Sequence, residues 1–296
     1  MSESANEKPR KRRGDRFDAT RVRELDGMHV IIPRIFPNRC DNEAFIEVLL
    51  DITNLEEWRA KKNEGIEEFP YSLFHCVVTA ALKVLYLRPL MNRFICKGVM
   101  YQRDECTAAF TVKKKFADDG EEGLAFLHSK PDWTIDDVHE EIRRQVYHVR
   151  VKDAGDASMD AINSISKLPN FVMSFITWAC RKLDQSGKVP RSLIATDPYY
   201  SSVLLSNVGS IKLDSGYHHL GSWGTNSFFI LMGERKKRPF FNEDGTYEMR
   251  ESLQLGITID ERLADGYYYS KTIRLMKKLV ECPELLERPL AEEVEY

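Results

Sequence analysis

The order in which strand-like and helical runs succeed one another constrains this chain most. Phe45–Thr53 (FIEVLLDIT) is rich in β-branched and apolar residues and reads as a strand. Thr53, three before Glu56, reads as a capping box that opens the helix NLEEWRAKKN. A strongly apolar helix follows, FPYSLFHCVVTAALKVLYLRP, stopped by Pro89. RFICKGVMYQR reads as a hairpin turning at Lys97-Gly98, and TAAFTVKKKF and LAFLH as strands on either side of the acidic loop ADDGEEG. Thr134, three before Asp137, starts a helix reaching Arg150. After a small, polar stretch from Val151 to Asp160, KLPNFVMSFITWACRKLDQSGKVP has helical periodicity and a wide apolar surface. The strands SSVLLSNVG, NSFFILMGE and SLQLGITID and a last helix, GYYYSKTIRLMKKLVECPELL, complete the chain. Strands and helices mix without strict βαβ alternation, so the expected class is α+β.

Composition removes several functions. A chain of 296 residues that is 43% hydrophobic and 30% charged can bury a sizeable core. Its net charge of −3 supplies no global field for nucleic acid or an anionic membrane. The six cysteines are scattered without a CxxC pair, so neither a zinc site nor a disulfide framework is expected. No Gly-rich phosphate loop and no HExxH occurs, and no metal is expected. Residues 1–20 open with Lys8, Arg10, Lys11, Arg12 and Arg13 and read as a solvated, disordered basic tail. No apolar signal core follows and no run is long enough for a membrane span, which points to the cytoplasm.

Three later segments carry a resemblance. SNVGSI (Ser206–Ile211) is followed by FFILMGERKKRP, and LGITIDERLADG then leads directly into the last helix. This order resembles the catalytic domain of dihydrolipoamide acyltransferases, the acyl-transferring component of 2-oxo acid dehydrogenase complexes, whose segments read Ser-Asn-Leu-Gly, a strand ending in Arg-Pro, and Asp-His-Arg-x-x-Asp-Gly; a bacterial source is expected. Chloramphenicol acetyltransferase shares that fold. The resemblance implies a two-layer sandwich, with a mixed sheet and helices packed on one face, over residues 21–296. It also implies CoA or an acyl-CoA as substrate, a small-molecule acceptor, and a homotrimer with intersubunit sites. Carried over residue by residue, the oxyanion-stabilising hydroxyl falls on Ser206, with Asn207 beside it. The loop aspartate, which the family pairs with an arginine, falls on Asp265, next to Gly266.

The histidine position is Glu261. An unperturbed glutamate has a pKa of about 4.3 against about 6.5 for histidine, so it is the weaker base unless burial raises it. Glu261 therefore reads three ways: as general base, as a structural or substrate-orienting group, or as the mark of a site without catalysis. His218 and His219 in YHHLG provide a second candidate base, which Glu261 would then orient. The chain carries no lipoyl or peripheral-subunit-binding domain, so a stand-alone protein is expected rather than a dehydrogenase-complex core. Residues 151–192 read as an insertion whose apolar helix packs over the domain core, roofs a pocket or serves trimer contacts, with a membrane surface as the remaining alternative.

Overall fold

The computed structural model describes residues 11–113, 122–151, 165–195 and 197–296. The strands are β1 (Ala19–Arg21), β2 (Glu43–Asp51), β3 (Arg93–Cys96), β4 (Val99–Arg103), β5 (Thr107–Lys113), β6 (Glu122–His128), β7 (Val203–Asn207), β8 (Phe228–Met232), β9 (Lys236–Phe241) and β10 (Tyr247–Asp260). The helices are α1 (Gly27–Ile35), α2 (Thr53–Lys62), α3 (Leu73–Leu87), α4 (Ile135–Val151), α5 (Asn170–Gln185), α6 (Arg191–Ile194) and α7 (Gly266–Glu281). The main sheet runs β2-β10-β8-β7-β5-β6, and the first half of β10 also pairs with β9. Pairs β5–β7 and β7–β8 are parallel and the others antiparallel, so the sheet is mixed. A small sheet, β1-β4-β3, stands apart.

Alternation along the strands sorts the two faces. Val48, Leu50, Val203, Leu205, Ile230, Leu255 and Ile257 point to one side, where α3 and α7 supply Val77, Ala81, Leu85, Leu275 and Leu279. This is the α+β two-layer sandwich, a mixed sheet with helices packed on one face, expected from the sequence. The other face is covered by chain rather than by helices. Residues 213–221 cross it: the amide of Glu234 donates to the Leu213 carbonyl (2.9 Å), and the amide of Leu220 donates to Glu43 on β2. Gly256 on β10 lies so close beneath this crossing that a methyl group there would overlap the Gly216 carbonyl oxygen.

Several local expectations change. Thr53 does not cap α2; Asp51 accepts from both the Thr53 amide (3.0 Å) and its hydroxyl (2.7 Å), which moves the helix start forward, and Glu56 pairs with Arg59 and Arg235 instead. The run FFILMGERKKRP is not one strand. It breaks at Gly233, which packs against Ser215, and β9 turns back on a β10 longer than expected. Of the expected tail, residues 1–10 lie outside the described residues, while Arg16 is buried and Ala19–Arg21 pairs with β4. The polar stretch Val151–Asp160 falls beyond the described residues after Val151. Phe171, Phe175 and Trp178 of α5, expected to face the core, are exposed, and its Asp184 is buried against the body instead.

Helix α3 opens with a reciprocal cap that uses histidine where glutamate or glutamine is usual. The Ser72 amide donates to His75 Nδ1 (3.0 Å), and the His75 amide donates to the Ser72 hydroxyl. Only a neutral ring can accept there. Burial, and secondarily the nearby His139, pushes the His75 imidazole down to about 3 from its ordinary 6.5. With the folded value below the unfolded one, the unfolded chain binds the extra proton first. Stability from this site is therefore complete above about pH 6.5 and is lost as pH falls towards 3. Urea unfolding across that range should show the decline, and His75→Gln, which keeps an acceptor but does not titrate, should flatten it.

Candidate active site

The last residue of β10 and the turn after it form a rigid loop. Asp260 is fully buried and caps the turn through the Arg262 amide (3.2 Å). Its carboxylate also accepts from Arg262 Nε at 2.7 Å and Nη2 at 2.6 Å, a bidentate pair with almost no exposed surface. Arg262 Nη1 donates onward to the carbonyls of Phe36 (2.8 Å) and Pro37 (3.3 Å), which ties the turn to the segment after α1. The Tyr269 hydroxyl donates to the Asp260 carbonyl (2.8 Å), and burial pushes that phenol well above its ordinary range. Arg39 lies behind the loop, fully desolvated, with its pKa drawn down by burial and partly restored by Asp260. Arg39 donates to the carbonyls of Gly221 (2.6 Å) and Gly224 (3.1 Å), holding the end of the crossing segment.

Asp265, expected to pair with an arginine, has none among the described residues; the neighbouring Arg262 is held by Asp260. Asp265 caps α7 by accepting from the Tyr268 amide (2.7 Å), with Gly266 as the first helical residue. Its short side chain turns back onto its own helix, and Asp260, two residues from Arg262, meets the guanidinium first. Sequence reading passed over this Asp-x-Arg spacing, which was the available signal.

Glu261 stands between these two buried residues and points outward. It is exposed, and among the described residues it forms no hydrogen bond or ion pair. It lines an open groove of about 600 Å³ between β2 and α7. Ala44, Ile46 and Ile259 give that groove an apolar floor, and Arg274 and Lys277 give it a basic rim.

Ser206 lies elsewhere. It is half-buried on β7, opposite Leu231, which is opposite Gly256 on β10. Glu261 is five residues further along β10, so the two are separated by about 16 Å along the strands and about 10 Å across them. They sit at opposite ends of the sheet because β10 runs against β7 and β8. Asn207 Oδ1 accepts from the Ser210 amide (3.2 Å) and shapes the turn after β7.

The histidines occupy the crossed face. The His218 ring stacks on Phe229 (4.5 Å between centroids, 5° between planes) and on His219 (4.6 Å). His218 Nδ1 is 3.0 Å from the His219 carbonyl. Phe229 points away from the helices, whereas the Glu261 groove opens on the helical side, and among the described residues no hydrogen bond or ion pair links Glu261 to either imidazole. Close by in the register, Thr258 is fully buried beside Phe229 and Phe45, and its hydroxyl has no partner among the described residues. Among the described residues, no group of three or more His, Cys, Asp or Glu is placed to hold a metal ion.

No protein-family model matches the sequence, and no curated protein matches it. Solved structures do. A probable dihydrolipoamide acetyltransferase from Listeria monocytogenes is 14% identical at a TM-score of 0.57, covering 88% of this chain and 94% of its own. A dihydrolipoamide acetyltransferase of Azotobacter vinelandii, in which a serine, a histidine and an asparagine were investigated for their part in catalysis, is 12% identical at a TM-score of 0.59, covering 90% and 94%. Chloramphenicol acetyltransferase is 16% identical at 0.54, covering 88% and 99%. At these identities the likeness establishes the fold: this chain has the fold of those acetyltransferases.

The loop's architecture predicts a contrast between neighbouring positions. Asp260→Ala strands a buried guanidinium and should cost about 3–5 kcal/mol of stability in urea unfolding. Glu261→Gln, at an exposed and unpartnered position, should change stability by less than about 0.5 kcal/mol.

Proposed function

We propose that the chain is a stand-alone acyltransferase moving an acyl group from an acyl-CoA to a small hydroxyl, thiol or amine acceptor. In this reading it works as a homotrimer whose sites form between subunits. The observation that carries it is the opposed placement of Ser206 and Glu261 on a fold otherwise shared with acetyltransferases. One chain cannot close a site from them, whereas the sheet end of one subunit set against the groove of the next can. The histidine and asparagine investigated in the Azotobacter enzyme stand four positions apart, as Glu261 and Asp265 do, which supports the alignment of the loop.

In the proposed reaction the acceptor's proton passes to the Glu261 carboxylate as its heteroatom attacks the thioester carbonyl carbon. The Ser206 hydroxyl of the adjoining subunit donates to the oxyanion, an interaction whose removal typically raises the barrier by about 3 kcal/mol. Collapse breaks the carbon–sulfur bond, and the CoA thiolate recovers the proton from Glu261. A subunit docked over the groove would bury Glu261, and burial is what makes a carboxylate more basic. Arg274 and Lys277 on the groove's rim suit the phosphates of CoA.

A second reading is favoured by one observation: Glu261 is exposed and unpartnered while the residues holding its loop are intact. A trimer that binds a CoA ester without turning it over fits that pattern equally well. Isothermal titration and turnover separate the two. Under the transferase reading, CoA binds, and Glu261→Gln abolishes turnover while leaving CoA affinity nearly unchanged. His218→Asn or His219→Asn proving more damaging would move the base to the crossed face. No detectable affinity for CoA at millimolar ligand would remove the transferase reading.

Mixed assembly tests the intersubunit site. Ser206→Ala and Glu261→Gln chains, each inactive alone, should on co-refolding in equal amounts give intact sites at about a quarter of interfaces. Activity should recover to about that fraction of the unmodified protein. No recovery despite mixed trimers confirmed by mass would place both residues in one site of one chain, or dismiss one of them.

A further inference from the structure

Among the described residues, the hydrogen bonds that tie helix α5 to the body lie at its C-terminal end. Asp184 is its buried residue: the carboxylate accepts from the Tyr200 hydroxyl (2.6 Å) and the carbonyl accepts from Arg16 (3.1 Å). The Cys96 thiol donates to the Gln185 carbonyl (3.3 Å). Towards its N-terminus the helix turns aromatic side chains outward, with Phe171 78% exposed, Phe175 65% and Trp178 56%. Phe171, Phe175 and Trp178 follow one another by one helical turn each and so form one stripe, within which the Phe175 and Trp178 rings stack at 5.9 Å. Among the described residues no helix is long and apolar enough to cross a membrane.

The charges on α5 indicate what covers that stripe. Arg181 and Lys182 are exposed and, at 100° per residue, flank Trp178 and Phe175 on the same outward side. The helix's acidic residue, Asp184, is buried, so its exposed charges are all positive. Lys167 and Lys188, also exposed, bracket the helix. Arg12 and Arg13 are exposed as well, and four residues of chain keep Arg12 within about 14 Å of Arg16 at the helix's anchored end. A second copy of the chain placed symmetrically on this face would set bases against bases. A lipid surface with anionic headgroups satisfies both features at once: acyl chains take the aromatic stripe and headgroups take the bases. Trp178 beside two bases suits the headgroup boundary in particular.

We propose that α5 lies in the plane of an anionic membrane and docks the protein there by its Phe171–Phe175–Trp178 face. The test uses the full chain with vesicles of phosphatidylcholine alone or with roughly 30% phosphatidylglycerol. The protein should sediment with the anionic vesicles and not with the neutral ones. Phe171→Ser/Phe175→Ser/Trp178→Ser should weaken that partition by about tenfold or more. Arg181→Gln/Lys182→Gln should weaken it several-fold and remove much of its salt sensitivity. Both variants should keep the melting temperature and the oligomeric mass of the unmodified protein. Equal sedimentation of the triple variant, or none of the unmodified protein, would overturn the proposal. So would a fall in oligomeric mass for the triple variant without vesicle binding by either form, which would assign the stripe to another copy of the chain.

Discussion

The buried pair of Asp260 and Arg262 organises the end of this molecule where chemistry is expected. Neither charge tolerates the interior alone, since each would lose several kilocalories per mole of hydration without its partner. Two parallel hydrogen bonds hold them, and the remaining donors of Arg262 reach the carbonyls beyond α1. The last residue of the longest strand, the segment after α1 through Arg262 and, through Tyr269 on the Asp260 carbonyl, the last helix are thereby fixed to one pair of residues. A pair of this kind adds little net stability over an apolar substitute of the same shape. It does penalise every arrangement in which one partner is missing, and so specifies a single loop geometry.

That geometry leaves position 261 free to vary while the loop stays the same. Positions 260 and 262 point inward and are constrained by each other, whereas 261 points out over a groove and has no hydrogen bond or ion pair among the described residues. Support and reactive group are thus carried by alternate residues of one turn. A change at 261 alters the chemistry offered to the groove without disturbing what holds the loop.

Much of the fold was legible because periodicity and punctuation agree. The Lys97-Gly98 turn takes the left-handed conformations a tight hairpin needs, with φ of 50° and 68°, and Pro89 ends α3 as its missing N–H requires. Legibility failed where a residue's role depends on distant partners. Thr53 has the spacing of a cap, but Asp51 reaches the same amide first. The face of α5 looked like a core-facing stripe, because sequence records that a side chain is apolar and not whether anything lies opposite it. For the candidate site, three segments in order pointed to Ser206 and Glu261, but the opposed directions of β7 and β10 that separate them follow from long-range pairing.

The pairing of β2 with β10 also bears on how this protein is made. Glu43 lies opposite Asp260 and Asp51 opposite Ser252, so β2 waits for about two hundred further residues before its neighbour in the sheet exists. Loop closure over such a span rises only logarithmically in cost, but it cannot begin until β10 has left the ribosome. Until then the apolar residues of β2 and the underside of α3 have no sheet to complete, and the nascent chain presents an unpaired strand edge to its surroundings. The N-terminal half is therefore committed to completing its sheet late, a consequence of strand order alone.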